Sequence, residues 1–348
     1  MSVNQFKYYS SVDAGAPILN GTSGSLQSVL DGCLVNGYGS KTPVGWSKPI
    51  ANDGYLGCWQ QPSGSGLTLF VNDSAPQTSS GAGGGSREAW ATGWESMTGL
   101  TGSATFTGQG YGQFPYYGLG LLVANTGINA GAVVVRKSNT NDTTTRNWLL
   151  FGDAHTFYLF TSPVDTAGVY NVLFFGDIFS IKSGTDTHKC VIAGRTVVGS
   201  TAQYCGNDVI TLPTATVLNM FIARNAFGIG LPLSVNKVGD VGKGAVVSVA
   251  VPGNSSASGC PMAGIIPVAN TPDNSLYMSP IWVSEASSGT IRGRMRGMYH
   301  LCHPISAFAD GQIFSGANEF SGKTFQIVKQ GSANGMWVIE ISNTVETN

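Results

Sequence analysis

Trp148-Leu-Leu-Phe-Gly-Asp-Ala-His-Thr-Phe-Tyr-Leu-Phe160, followed by Val172-Leu-Phe-Phe-Gly-Asp177, decides the fold class. The apolar runs Trp148–Phe151, Thr156–Phe160 and Val172–Phe175 are too short for helices and are rich in aromatic and branched side chains, so they read as strands. Leu149–Asp153 and Leu173–Asp177 echo each other, each a strand running into a Gly-Asp turn; two copies do not make a repeat fold. Leu67–Val71, Val133–Arg136 and Val246–Val251 read the same way. Near the end, Thr324–Val328 and Met336–Ile341 flank Gly331-Ser-Ala-Asn-Gly335, which is the pattern of a hairpin with a longer turn.

One segment reads as a helix. Between Ser25 and Asn36, Leu26, Val29, Leu30, Cys33 and Leu34 recur at i, i+3, i+4, i+7 and i+8. Thr22 or Ser23 is the expected cap, and Gly37 the expected left-handed terminator. The apolar stripe needs a sheet to pack on. The expectation is a mainly β fold of sandwich- or barrel-like sheets with one amphipathic helix near the N-terminus. Residues 1–60 form an arm and helix on the β body, and 61–348 form that body, as one large domain or two subdomains.

Composition narrows the function. Charged residues make up 11% of the 348 and glycines number 48, while hydrophobic residues are an ordinary 42%. Eighteen basic and nineteen acidic residues leave a net charge of −1, which argues against nucleic acid as a partner. A charge-poor surface is weakly protected against association and suits one covered by other subunits. The longest uncharged stretch, 96–135, contains Gln109, Gln113, Asn125 and Asn129, so no membrane span is expected. The start has no apolar stretch of signal-peptide length. Cys33, Cys58, Cys190, Cys205, Cys260 and Cys302 form no CxxC pair, and reduced thiols are expected.

Candidate chemical motifs are few. Ala317-Asn-Glu-Phe-Ser-Gly-Lys-Thr324 fits a relaxed phosphate-loop pattern, but strand-like residues follow it where a helix is needed, so it reads as a turn entering a strand. His300, Cys302 and His303 lack a second ligand pair for zinc. Asp153 and His155 lack a nucleophile elbow and read as a hydrogen-bonded structural pair. The seven tryptophans fill a core or an interface, or form a stacking platform for sugars. No catalytic, cofactor-binding or metal-ligating residue is assigned. Arg292, Arg294 and Arg296 are three of eight arginines and alternate along a predicted strand, Thr290–Met298. They are the candidate interface, facing an acidic surface on the same or a neighbouring subunit.

Several stretches together carry a family likeness. They are Ala14-Gly-Ala-Pro-Ile-Leu-Asn-Gly-Thr-Ser-Gly-Ser-Leu26, Leu30-Asp-Gly-Cys-Leu-Val-Asn-Gly-Tyr-Gly39, Gly45-Trp-Ser-Lys-Pro49 and Trp94-Glu-Ser-Met97. Trp148 to Phe160, Phe174 to Ser183, Arg294-Met-Arg-Gly-Met-Tyr299 and Phe308-Ala-Asp-Gly311 follow in order. The ordered set resembles a family of virion structural proteins of tailed bacteriophages, recorded as tail or minor structural proteins. The resemblance implies a virion component made in the host cytoplasm, with other virion proteins and further copies of itself as partners, and no cofactor. Its expected place is the tail, baseplate or collar. Capsid decoration, or binding of a receptor or host-surface glycan at the tail, is the alternative; an enzyme is not expected.

Overall fold

The apolar runs form consecutive antiparallel strands, and their Gly-Asp pairs end two of them. The computed structural model describes residues 6–74, 85–100, 108–114, 133–164, 170–182, 185–196, 218–224, 228, 234–237, 276–285, 291–301, 303, 308–329 and 336–341. In chain order the strands begin with β1 (Lys7–Ser10), β2 (Leu56–Gln60), β3 (Thr68–Asn72), β4 (Glu88–Leu100), β5 (Gly108–Phe114) and β6 (Val133–Arg136). There follow β7 (Asn147–Gly152), β8 (Thr156–Ser162), β9 (Asn171–Asp177), β10 (Phe179–Ser180), β11 (Cys190–Thr196) and β12 (Leu218–Ile222). The last are β13 (Ser234–Lys237), β14 (Met278–Glu285), β15 (Ile291–Leu301), β16 (Ile313–Ser315), β17 (Thr324–Lys329) and β18 (Met336–Ile341). One helix, α1 (Ser25–Leu30), runs into a π-helical turn at Asp31–Asn36. The fold is mainly β, with three antiparallel sheets and no closed barrel among the described residues. No described helix is long and apolar enough to cross a membrane.

The middle sheet runs β1–β7–β8–β9–β11. Alternation along its strands sends Leu150, Phe157, Leu159, Leu173 and Phe175 to one face. There they meet the helix and a second sheet, β2–β3–β4–β6, with β5 farther along β4. Phe151, Tyr158, Phe160, Val172 and Phe174 go to the opposite face. They meet Met295, Met298, Trp337 and Ile339 of a third sheet, β14–β15–β18–β17–β16. Both faces of β7, β8 and β9 are therefore buried, which is why these strands read as unbroken apolar runs rather than as alternating ones. Each such side chain contributes roughly 1.5–3 kcal/mol by leaving water. The sheets join at their edges: β11 pairs with β6, and β12 and β13 carry the pairing from β11 across to β14. The predicted hairpin is β17–β18, in register from Thr324↔Ile341 to Lys329↔Met336. Val246–Val251 and the turn 331–335 lie outside the described residues.

The helix buries the predicted stripe completely: Leu26, Val29, Leu30, Cys33 and Leu34 have no exposed surface. Its ends differ from expectation. Gly24 is the N-cap and no side chain caps it locally, because Thr22 turns back to Asn20. Instead the Asp73 carboxylate at the end of β3 accepts from the amides of Leu26 and Gln27, at 2.8 and 3.1 Å. Lys137, equally buried, donates to that carboxylate and to the Thr22 carbonyl. At the other end Gly37 has φ 77° and ψ 172°, so it is positive in φ but not left-handed helical. The terminal carbonyls are taken by the returning chain, as Val44 donates to Cys33 and Trp46 to Leu34. Gly37 in turn donates to Gly32 five residues back, which widens the last turn into a π-helix.

Candidate functional site

Asp153 and His155 lie in the tight turn between β7 and β8, at one end of the middle sheet. The Asp153 carboxylate accepts from the main-chain amides of His155 and Thr156, both at 2.8 Å. The expected pair is thus made to the backbone of His155 and not to its ring. The other carboxylate oxygen accepts from Arg296 of β15 at 3.1 Å, and the Trp46 indole donates to the Asp153 carbonyl. One turn therefore ties the middle sheet to the third sheet and to the segment after the helix.

Asp177 ends β9 next to this turn. Its carboxylate accepts from the Ser65 amide at 2.9 Å and from the Gln61 side chain at 3.2 Å. Gln61 also donates to the His155 carbonyl. Lys189 stands 3.7 Å away. Gly64, at φ 76°, leaves no room here: a Cβ would fall 2.2 Å from Asp177 Oδ2 and 2.7 Å from His155 Nδ1. Burial pushes the Asp177 carboxyl up, and burial with the nearby Arg296 charge pushes the His155 imidazole down, so each neutral form gains. His155 Nδ1 is buried and has no hydrogen-bond partner among the described residues. The sequence signal for Asp177 is the Gly-Asp echo; Gln61 and Ser65 carry none.

The arginine stripe lies on β15 beside β10. Arg292 is buried, donating to Asp186 at 2.6 Å and to the Arg224 carbonyl at 2.9 Å. Ser180 and the His188 amide also donate to Asp186. Arg296 is buried against Asp153. The Arg294 guanidinium stands 5.3 Å from the Phe179 ring centroid and that of Arg296 4.6 Å from it. Arg294 is half-buried and has no carboxylate at ion-pair distance among the described residues. Two of the three charges are thus consumed inside the chain by Asp186 and Asp153, and Arg294 remains nearest to solvent.

His303 is buried, and its Nε2 accepts from the Tyr277 amide at 2.8 Å. Cys302 and the His300 side chain lie outside the described part of the structure. Among the described residues no group of three metal-ligating side chains converges. Residues 318–320 form a 3-10 turn and Gly322, at φ 81°, leads into β17, so this stretch is a turn entering a strand. Six tryptophans, Trp46, Trp59, Trp90, Trp94, Trp148 and Trp337, are buried, and they fill the layers instead of presenting a sugar-stacking face. Cys33, Cys58 and Cys190 are buried free thiols; the other three cysteines are outside the described residues. No family model matches the chain, and no curated protein matches it.

Proposed function

We propose that the chain is a structural subunit of a tailed-bacteriophage particle, placed at the tail, baseplate or collar and built in through protein–protein contacts with other virion proteins and with copies of itself. The observation that carries this reading is the use made of the ionisable side chains: Asp153 with Arg296 and Asp186 with Arg292 fasten the sheets and loops together. Chemistry-bearing residue types spent in this way suit a scaffold. The charge-poor composition suits repeated contact in a symmetric assembly. Arg294, the least buried of the three arginines, is the residue positioned to meet a neighbour.

Arg294→Glu tests the contact. The isolated variant folds as the wild type does and its incorporation into particles falls, while added salt weakens wild-type assembly. Wild-type incorporation of the variant, with no salt effect, contradicts the assignment. The reading is also non-enzymatic. Assembled particles carrying His155→Ala infect at the wild-type level; normal assembly with a specific loss of host-wall hydrolysis overturns it.

A further inference from the structure

The loop that fits a relaxed phosphate pattern lines a cleft at the outer face of the third sheet, and the histidine beside Cys302 lies behind one wall of it. It has a volume of about 910 Å3 and is lined by Tyr277, Phe314, Ser315, Asn318, Glu319 and Phe320, among others. That is within the roughly 300–1,000 Å3 of small-molecule sites. Its aromatic walls are held from behind. Tyr277 is 50% exposed, yet its ring stacks on buried His303 and its amide donates to that imidazole. Phe314 stacks on Phe325 at 5.5 Å, and Phe320 packs edge-on against Phe325 and Tyr299.

The polar side is shaped by the backbone. Gly316 passes so close to the Phe320 carbonyl that a Cβ would sit 2.2 Å from it. Asn318 is the one described non-glycine residue with positive φ, at 54°. Asn318 and Glu319 are both exposed at the cleft. An amide offers donors and acceptors together, and a carboxylate only acceptors. Lys323, the cation of this loop, is already paired with Glu340 at 3.0 Å, so the loop sets no unpaired cation against an anion, and Glu319 repels one.

From this combination we infer that the cleft binds a neutral oligosaccharide. A pyranose ring presents an apolar C–H face that suits the fixed Tyr277 ring, and a rim of hydroxyls that donate to Glu319 and exchange hydrogen bonds with Asn318 and Ser315. The inference does not depend on where in a particle the subunit sits, and the purified full chain suffices to test it. The probe is an immobilised panel of glucose, mannose, galactose and N-acetylglucosamine oligomers, with oligolysine and inorganic phosphate alongside. The expected result is capture of at least one panel sugar. Tyr277→Ala and Asn318→Gly each weaken that capture about tenfold or more, and Tyr277→Phe retains it. Asn318→Gly removes the amide where glycine adopts the backbone freely, so its thermal midpoint stays at the wild-type value and separates lost recognition from lost folding. Failure of every panel sugar to bind, capture that neither variant weakens, or capture of oligolysine or phosphate in place of sugar overturns the inference.

Discussion

The most consequential single residues are ones that no motif announces. Asp73 and Lys137 are both fully buried, joined to each other and to the start of the helix. Burial pushes the Asp73 carboxyl up and the Lys137 ammonium down; their mutual contacts oppose both shifts, and the Leu26 and Gln27 amides also hold the carboxyl down. Lys137→Met, which strands a buried carboxylate, costs about 3–5 kcal/mol in urea unfolding, and Asp73→Asn added to it recovers part of that loss. Histidine titration gives a second test. The imidazoles of His155 and His188 are both lowered, chiefly by burial, from the usual 6.5. The unfolded chain takes up their protons first, so the stability they contribute is complete above about pH 6.5 and is lost as pH falls through the folded values. Asp177, raised by burial, has the opposite sign and acts from the carboxylate range upward. The thermal midpoint therefore drops on acidification below pH 6.5, and the double variant His155→Gln/His188→Gln flattens that drop. An unchanged slope in the variant contradicts the assignment. Sequence showed Asp153, His155 and the arginines as candidates. It could not show Asp186 as the partner of Arg292 or Gln61 as the partner of His155, because those contacts span 106 and 94 residues.

Elements were legible where burial is one-sided or total, and illegible where glycine interrupts them. The helix stripe, β6, β8 and the β17–β18 hairpin follow directly from residue type and spacing. Strand β4 does not: Gly93, Glu95 and Gly99 break its pattern, and its pairing with β5 shifts register between Met97 and Gly99. The π-helical turn is equally hidden, since it arises from the returning chain at Val44–Trp46. Leu30→Ala leaves a cavity in the helix–sheet contact and costs about 2–5 kcal/mol; an unchanged melt contradicts the packing. Gly293 gives a sharper test of the β10–β15 pairing. A Cβ there would lie 2.1 Å from the Phe179 carbonyl, so Gly293→Ala separates the two strands. Amide exchange at Ile181, which donates to Arg292 across this pair, then accelerates while exchange in β8 stays slow.

At the scale of the molecule, the sequence shows a mainly β chain with one helix, and the structure adds the layering. Continuous apolar runs signal burial but not how many sheets do the burying; only the division of β7–β9 side chains between two cores shows that the middle sheet is covered on both sides. The cleft at Tyr277 was present only in pieces, because its walls come from segments that the sequence separates. The central claim is that this layered body is a repeated building unit of a phage particle. Cryo-electron microscopy of purified particles from the producing culture, with the copy number of the chain counted by quantitative mass spectrometry, tests it most directly. The account predicts density for the three-sheet body at a fixed symmetric copy number in the tail, baseplate or collar, with Arg294 at a subunit contact. Purified, infectious particles that lack the chain, while it persists in the lysate, would contradict it.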